Sequence, residues 1–147
     1  MNFTIYTDGS SFRNGFGGPG GFAAVCVEDD SLSVRGGAAS TTNNRMEMMA
    51  AIEGLDALPE GSSVLLVTDS EYLALGYTQY MKKWLLFKGQ NGKWPSKLKN
   101  PDLWDRLILS VGRHASVEWQ VVKGHSTSKW NNLADERAGE EAAAWDA

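Results

Sequence analysis

Residues 63–69, Ser63-Val64-Leu65-Leu66-Val67-Thr68-Asp69, decide the fold. The run is short, apolar and closed by an acid, so it reads as a buried strand. A helical stripe precedes it. Met46, Met49, Ile52 and Leu55 recur three apart across about 44–58, and Pro59-Glu60-Gly61 ends the stripe. A second helical stretch, 70–80, follows. A strand set between two helices belongs to an alternating α/β arrangement, in which helical crossovers let strands pair in parallel.

Toward the N-terminus the pattern differs. Residues 2–8 alternate, with Phe3 and Ile5 on one parity and Tyr6 and Asp8 on the other, and Gly9-Ser10-Ser11 predicts a strand end at Asp8. Five glycines and a proline make 15–21 a loop. Residues 22–27 and 32–39 read as two strands joined by the polar turn Glu28-Asp29-Asp30-Ser31, an antiparallel hairpin. Asn44 followed by Glu47 fits a capping box for the first helix.

Toward the C-terminus, Gly89, Gly92 and Pro95 interrupt 81–100, which fits helix or loop. Asn100-Pro101 marks a helix start with Leu103, Leu107 and Val111 as its apolar face. A last strand over 116–122, a loop over 124–129 and a closing helix over 131–144 complete the chain. The expected fold class is α/β: a mixed five-stranded sheet, three antiparallel strands then two parallel, with helices on both faces, as one domain over 1–147.

The chain has 147 residues, 42% apolar and 22% charged, which excludes a disordered tail. Its net charge of −4 excludes a generally basic nucleic-acid wrapper. That average hides an asymmetry. Between Tyr72 and Lys99 stand Lys82, Lys83, Lys88, Lys93, Lys97 and Lys99 with no acid among them, interleaved with Tyr77, Tyr80, Trp84, Phe87 and Trp94. Positive charge beside aromatic surface suits a nucleic-acid backbone, although a solvated lysine loop would look the same. One cysteine, Cys26, excludes an intramolecular disulfide and suits a reducing compartment. A basic and apolar leader is absent, and no apolar run approaches about 18 residues, so secretion and membrane spanning are not expected and a cytoplasmic location is. The glycine run 17–21 lacks the Lys-Ser/Thr of a P-loop, and a single cysteine makes no zinc pair.

Four acids are placed for chemistry. Asp8 and Asp69 end apolar strands, where an α/β sheet offers a site at its carboxyl edge. Glu47 lies in the first turn of a helix, and Asp135 near the start of the last one, ten residues after His125. Brought together, four carboxylates repel and require cations, and hard divalent metals take carboxylate and water ligands. Each acid also has a plainer reading: Asp8 and Asp69 as turn or cap residues, Glu47 as part of a capping box, Asp135 as an ordinary helix acid, His125 as a loop histidine.

The segments Tyr6-Thr7-Asp8-Gly9-Ser10, Thr41-Thr42-Asn43-Asn44-Arg45-Met46-Glu47, Val67-Thr68-Asp69-Ser70, Asn100-Pro101-Asp102-Leu103-Trp104 and Trp119-Gln120-Val121-Val122-Lys123-Gly124-His125, with Asn131 and Asp135 after them, together resemble the type 1 ribonuclease H family in its bacterial form. The resemblance covers essentially the whole chain. It implies an endonuclease that hydrolyses the RNA strand of RNA–DNA hybrids, leaving 5′-phosphate and 3′-hydroxyl ends, as a monomer with no obligate protein partner. The family's metal-binding and catalytic acids fall on Asp8, Glu47, Asp69 and Asp135. Two Mg²⁺ ions per site with substrate bound are implied, with Mn²⁺ able to stand in, and the family's mobile histidine falls on His125. Asn14, Thr42 and Asn43 match groups that contact the sugar–phosphate backbones and the minor groove. The basic segment at about 81–100 resembles the family's handle, placing Tyr80, Lys82, Lys83, Trp84 and Lys88 against the DNA strand.

Three departures stand out. Glu71 is found where many relatives have glutamine, and an ionised glutamate cannot donate a hydrogen bond as glutamine can, so the substrate contact expected there changes or gives way to a protonated or metal-organising role. The glycine-rich loop holding Asn14 is longer than in the common bacterial form. The loop after His125 lacks the usual second histidine and proline. Holliday-junction resolvases and integrase cores share strand-end acids with this fold, but not the segment Asn43-Asn44-Arg45-Met46-Glu47.

Overall fold

A computed structural model describes residues 2–12, 17–123 and 128–146. Five strands form one sheet in the order β3-β2-β1-β4-β5. These are β1 (Asn2–Ser11), β2 (Gly20–Cys26), β3 (Val34–Ala38), β4 (Ser63–Thr68) and β5 (Ser116–Val121). β1 pairs antiparallel with β2 and parallel with β4; β2 pairs antiparallel with β3, and β4 parallel with β5. This is the mixed sheet expected from the change of pattern along the chain. The structure corrects the end of β1. It runs past Asp8 to Ser11, because Gly9, Ser10 and Ser11 continue to pair with Phe22, Gly21 and Gly20. A short 3₁₀ turn at Asp30–Leu32, capped by the Asp29 side chain, delays the start of β3.

The helices are α1 (Asn43–Ala57), α2 (Glu71–Leu75), α3 (Met81–Asn91), α4 (Pro101–Gly112) and α5 (Lys129–Ala144), with a π-helical turn, Gly76–Tyr80, between α2 and α3. The basic segment is therefore helix up to Asn91, where Gly92 in the left-handed region caps α3, and irregular beyond. α1 packs on β1 and β2, with Gly54 against Ala24 and Ile5. On the opposite face α5 packs on the same two strands. There a Cβ at Gly21 would run into the Ala138 carbonyl and the Ala142 nitrogen, so glycine is what lets α5 lie flat. Ala134, Ala138 and Ala142 repeat every four residues along its buried stripe.

The main core lies between the sheet and α1, α2 and α4, built from Ile5, Met48, Ile52, Leu55, Leu66, Leu73, Trp104 and Leu107 among others. The Met46/Met49 stripe understates α1. Met48, Ala50 and Ala51 are also fully buried, because α1 is covered by the sheet on one side and α4 on another. Arg113, just past α4, donates to the Leu55 and Leu58 carbonyls at 3.0 and 3.3 Å and closes the C-terminal end of α1.

Candidate active site

The carboxyl ends of β1 and β4 lie side by side, since Thr7 is in register with Thr68. Asp8 and Asp69 follow these two threonines and so emerge together at the sheet's edge. Glu47 joins them from the first turn of α1. Each of the three offers an oxygen within 4.8 Å of the others'. What permits this is Gly9: a Cβ there would collide with the Glu47 nitrogen and lie 2.6 Å from the Met46 carbonyl carbon. With no Cβ, β1 runs directly under the start of α1, and the Gly9 N–H donates to Glu47 Oε1 at 2.6 Å while also meeting Asp8 Oδ1 at 2.9 Å. Odd-numbered residues of β1 face α1, so Asp8 points toward the α5 side, where the exposed Asp135 stands at the rim of the same cleft. Asp135 lies close enough to Asp8 to disfavour its ionised form.

The local capping corrects two sequence expectations. The cap of α1 is Thr42, whose hydroxyl accepts from the Arg45 N–H at 3.2 Å, and Asn44 lies inside the helix. Glu47 does not close a capping box; its Oε1 is taken by Gly9 and its buried Oε2 has no hydrogen-bond partner. The cap of α2 is Ser70, accepting from Leu73 N–H, rather than Asp69. The plain readings of Glu47 and Asp69 as capping residues are thereby excluded.

Two of these acids are strongly perturbed. Burial, together with Asp69 and Asp135, raises Asp8 to about 7, against a lowering contribution from Glu47. Glu47 is held well above the usual carboxylate range by burial first and then by Asp8 and Asp69. Unit charges about 5 Å apart repel by roughly 3 kcal/mol at an effective dielectric of about 20. A hydrogen bond to a charged group returns about 1.5–3 kcal/mol, less than the repulsion of the three pairs together. The Gly9 N–H cannot offset the cluster; a shared proton or a cation must.

The cleft around the acids encloses about 760 Å³ and is lined by Ser10, Ser11, Asn43, Asn44, Glu71, Tyr72, Asn131 and Asn132 besides the four acids. Asn43 is exposed, and its Oδ1 accepts from the Ser11 hydroxyl at 2.7 Å, a contact that does not use its amide N–H groups. Sequence reasoning passed over Ser11, Asn44 and Asn132. Asn131 and Asp135 share a helix face through their four-residue spacing, a signal that was available. Arg45 ties this edge to α4 through Asp102, at 3.1 and 2.8 Å, and through Asn100.

Beyond the cleft, α3 is moored by aromatics. Trp84 packs on the fully buried Trp104 with centroids 5.3 Å apart, and Tyr80 stacks on Trp84 at 5.9 Å while remaining 48% exposed. Lys82 and Lys83 are exposed. Lys88 is engaged within the chain: its Nζ lies 2.8 Å from Asp105 and 4.5 Å from the centre of the Trp94 ring. Asn14 and His125 lie outside the described residues. No helix among the described residues is long and apolar enough to cross a membrane.

Comparison with known proteins agrees with this geometry. The RNase H family model matches residues 1–143. A Ribonuclease H of Hahella chejuensis is 44% identical over 135 residues, 91% of this chain and 88% of that one. One from Alcanivorax borkumensis is 46% identical over 137 residues, 91% of this chain and 87% of the relative. Among solved structures, LC9-RNase H1, described as a type 1 RNase H with the type 2 active-site motif, superposes with a TM-score of 0.81 at 28% identity, covering 98% of this chain and 73% of that one. The N-terminal RNase H domain of a Mycobacterium tuberculosis protein, at 24% identity and a TM-score of 0.69 over 99% of this chain and 96% of that one, shares the fold. With the sheet order, the strand-end acids and these matches in agreement, the chain belongs to the RNase H family, in its type 1, bacterial-like form.

Proposed function

We propose that the chain is a metal-dependent endonuclease that hydrolyses the RNA strand of RNA–DNA hybrids and leaves 5′-phosphate and 3′-hydroxyl ends. The observation that carries this reading is the Asp8–Glu47–Asp69 set at the carboxyl edge of the sheet. A hard divalent cation fits these residues, because the donors are all carboxylate oxygens, the buried Glu47 Oε2 lacks a partner, and the charges need compensation. When bound, two Mg²⁺ ions, or Mn²⁺ in their place, would lower the pKa of the attacking water and offset charge on the departing 3′-oxygen.

The chain's own residues do the rest. Asp8 and Asp69 hold the shared central position. Glu47 organises the side nearest the RNA 2′-hydroxyl, and Asp135, exposed at the rim, completes the set loosely. The Asn43 amide N–H groups, not used by Ser11, donate to acceptors on the sugars and in the minor groove, and Thr42 supports the backbone beside it. Lys82 and Lys83, with Tyr80 and Trp84, contact the DNA strand from α3; Lys88 contributes less because Asp105 holds it. Asn14 and His125 belong to this reading as a backbone contact and a proton carrier. A cytoplasmic setting belongs to it too, supported by the lone, buried Cys26.

The test is cleavage of one sequence as RNA–DNA hybrid, RNA–RNA duplex and DNA–DNA duplex, with and without Mg²⁺. The expected result is cutting of the hybrid alone, dependent on Mg²⁺, abolished in Asp69→Asn with hybrid binding retained. Full activity in Asp69→Asn would overturn the assignment.

A further inference from the structure

We propose that Glu71 makes the site selective for guanine: its carboxylate accepts from the 2-amino group of a guanine in the minor groove of the bound duplex and so biases where the chain cuts. The inference rests on the hybrid-cleavage reading above.

Glu71 opens α2 directly after Asp69 and the capping Ser70, is exposed, and lines the same cleft as the acids and Asn43. The described residues lining that cleft include no lysine or arginine. Glu71 also lies outside the Asp8–Glu47–Asp69 group that a cation would neutralise, and a carboxylate set against phosphates is repelled. Outside that group, a carboxylate is accommodated best opposite a hydrogen-bond donor.

A duplex offers few donors from this side. The major groove of an A-form-like helix is deep and narrow, so side chains on a cleft wall reach base edges through the wide, shallow minor groove. There adenine, thymine, uracil and cytosine present acceptors, and the only base donor is the guanine 2-amino group. A carboxylate accepts and cannot donate. Asn43 and Glu71 thus act oppositely on the groove. The amide N–H of Asn43 finds an acceptor on every base pair and is indifferent to sequence; the carboxylate of Glu71 finds a base partner only at guanine. The ribose 2′-hydroxyl is a further donor, but it lies at the groove's edge, on the side assigned above to Glu47. The 2-amino group projects into the middle of the groove.

An acid in the first turn also complements the helix macrodipole. That role changes thermal stability and has no effect on base preference.

The experiment uses hybrids of constant length in which a single G·C pair is moved one step at a time, each with a twin carrying inosine for that guanine. Inosine removes only the 2-amino group. The wild-type chain should cut at one register roughly tenfold faster with guanine than with inosine, the scale of one charge-assisted hydrogen bond. Glu71→Gln and Glu71→Ala, with melting curves to show they fold, should treat guanine and inosine alike. Equal cutting of the twins by wild type at every register overturns the proposal, as does discrimination retained in both variants. Loss of cutting on 2′-deoxy substitution at the sensitive register, without an inosine effect, overturns it in favour of the ribose. Failure of wild type to cut any hybrid is a different result and removes the underlying reading.

Discussion

The Gly9 backbone N–H donates to Glu47 Oε1 at 2.6 Å, joining the end of the first strand to the first turn of the first helix across 38 residues of sequence. This contact sets the spacing of the acidic cluster, because the residue after Asp8 touches the side chain of Glu47. Adding a methyl group at Gly9 places a Cβ on the Glu47 nitrogen. Gly9→Ala should therefore destabilise the protein by about 2–3 kcal/mol, at the upper end of the usual cost of overpacking, and reduce cleavage more than 100-fold as the helix start is pushed from Asp8. Denaturant melts together with kcat on a labelled hybrid check both effects.

Glu47→Gln separates stability from catalysis. The amide keeps an acceptor for Gly9 and gives the position of the orphaned Oε2 a donor, while making this buried position neutral at every pH. Metal-free stability should rise by about 1 kcal/mol, and metal-dependent cleavage should be lost. A variant less stable than wild type in chelator would contradict this account of the cluster.

Asp8 gives the metal-free protein a defined pH response. Its folded value of about 7 lies above the ordinary 3.8, so the folded chain holds a proton that the unfolded chain has already released. The stability from that proton is complete below about pH 4 and is lost as pH rises through 7. Asp30 and Asp102, held low by Arg137 and Arg45, lose their contribution only in stronger acid and stay ionised across this window. In chelator the protein should melt several degrees lower at pH 8 than at pH 5.5. Glu47, also held above the usual range, contributes with the same sign, so Asp8→Asn should reduce the difference, Asp8→Asn with Glu47→Gln should flatten it, and Mg²⁺ should reduce it in wild type.

Arg45 links the start of α1 to the start of α4 through a two-pronged contact with Asp102. Asp102 is exposed and Arg45 about one-third exposed, so solvent screens the pair. Arg45→Met should cost no more than about 1 kcal/mol. The same change loosens the helix turn that carries Asn43, and KM for hybrid should rise while kcat stays within about threefold. Steady-state kinetics beside a thermal melt distinguishes the two contributions.

The lysines of α3 should divide by their partners. Lys82 and Lys83 are exposed, and replacing both by alanine should weaken hybrid binding and lower the salt dependence of log K by about one to two units of slope. Lys88, held by Asp105 and Trp94, should show its loss mainly in stability. Titrations at several salt concentrations read the slope directly.

Much of this protein was legible along the chain. The apolar run at 63–69 between two helical stretches, and the alternating strands before it, implied the mixed sheet that β3-β2-β1-β4-β5 realises. The acids were legible as residues ending strands and opening a helix. Short-range patterns misled where a residue had two uses. Asn44 and Glu47 have capping-box spacing, yet Thr42 caps the helix and Glu47 turns to Gly9, because a contact through space outcompeted the local one. Gly9-Ser10-Ser11 reads as a strand stop, yet pairing with Gly20, Gly21 and Phe22 continues the strand. The glycines and proline of 81–100 left that segment open; the docking of Trp84 on Trp104 accompanies a helix to Asn91.

The sequence by itself determined the order and kind of the elements outside 81–100 and which side chains carry charge, since these follow from periodicity, turn chemistry and residue type. Only the tertiary structure decided that Asp8, Glu47 and Asp69 share one small volume and that the Ser11 hydroxyl takes the Asn43 carbonyl oxygen. It also decided that Lys88 belongs to the fold more than to the surface. The physical reason is range. Helix and strand patterns act over a few residues, whereas burial, the close approach that Gly9 permits, and the repulsion among carboxylates arise between segments tens of residues apart and exist only once the sheet and its helices have packed.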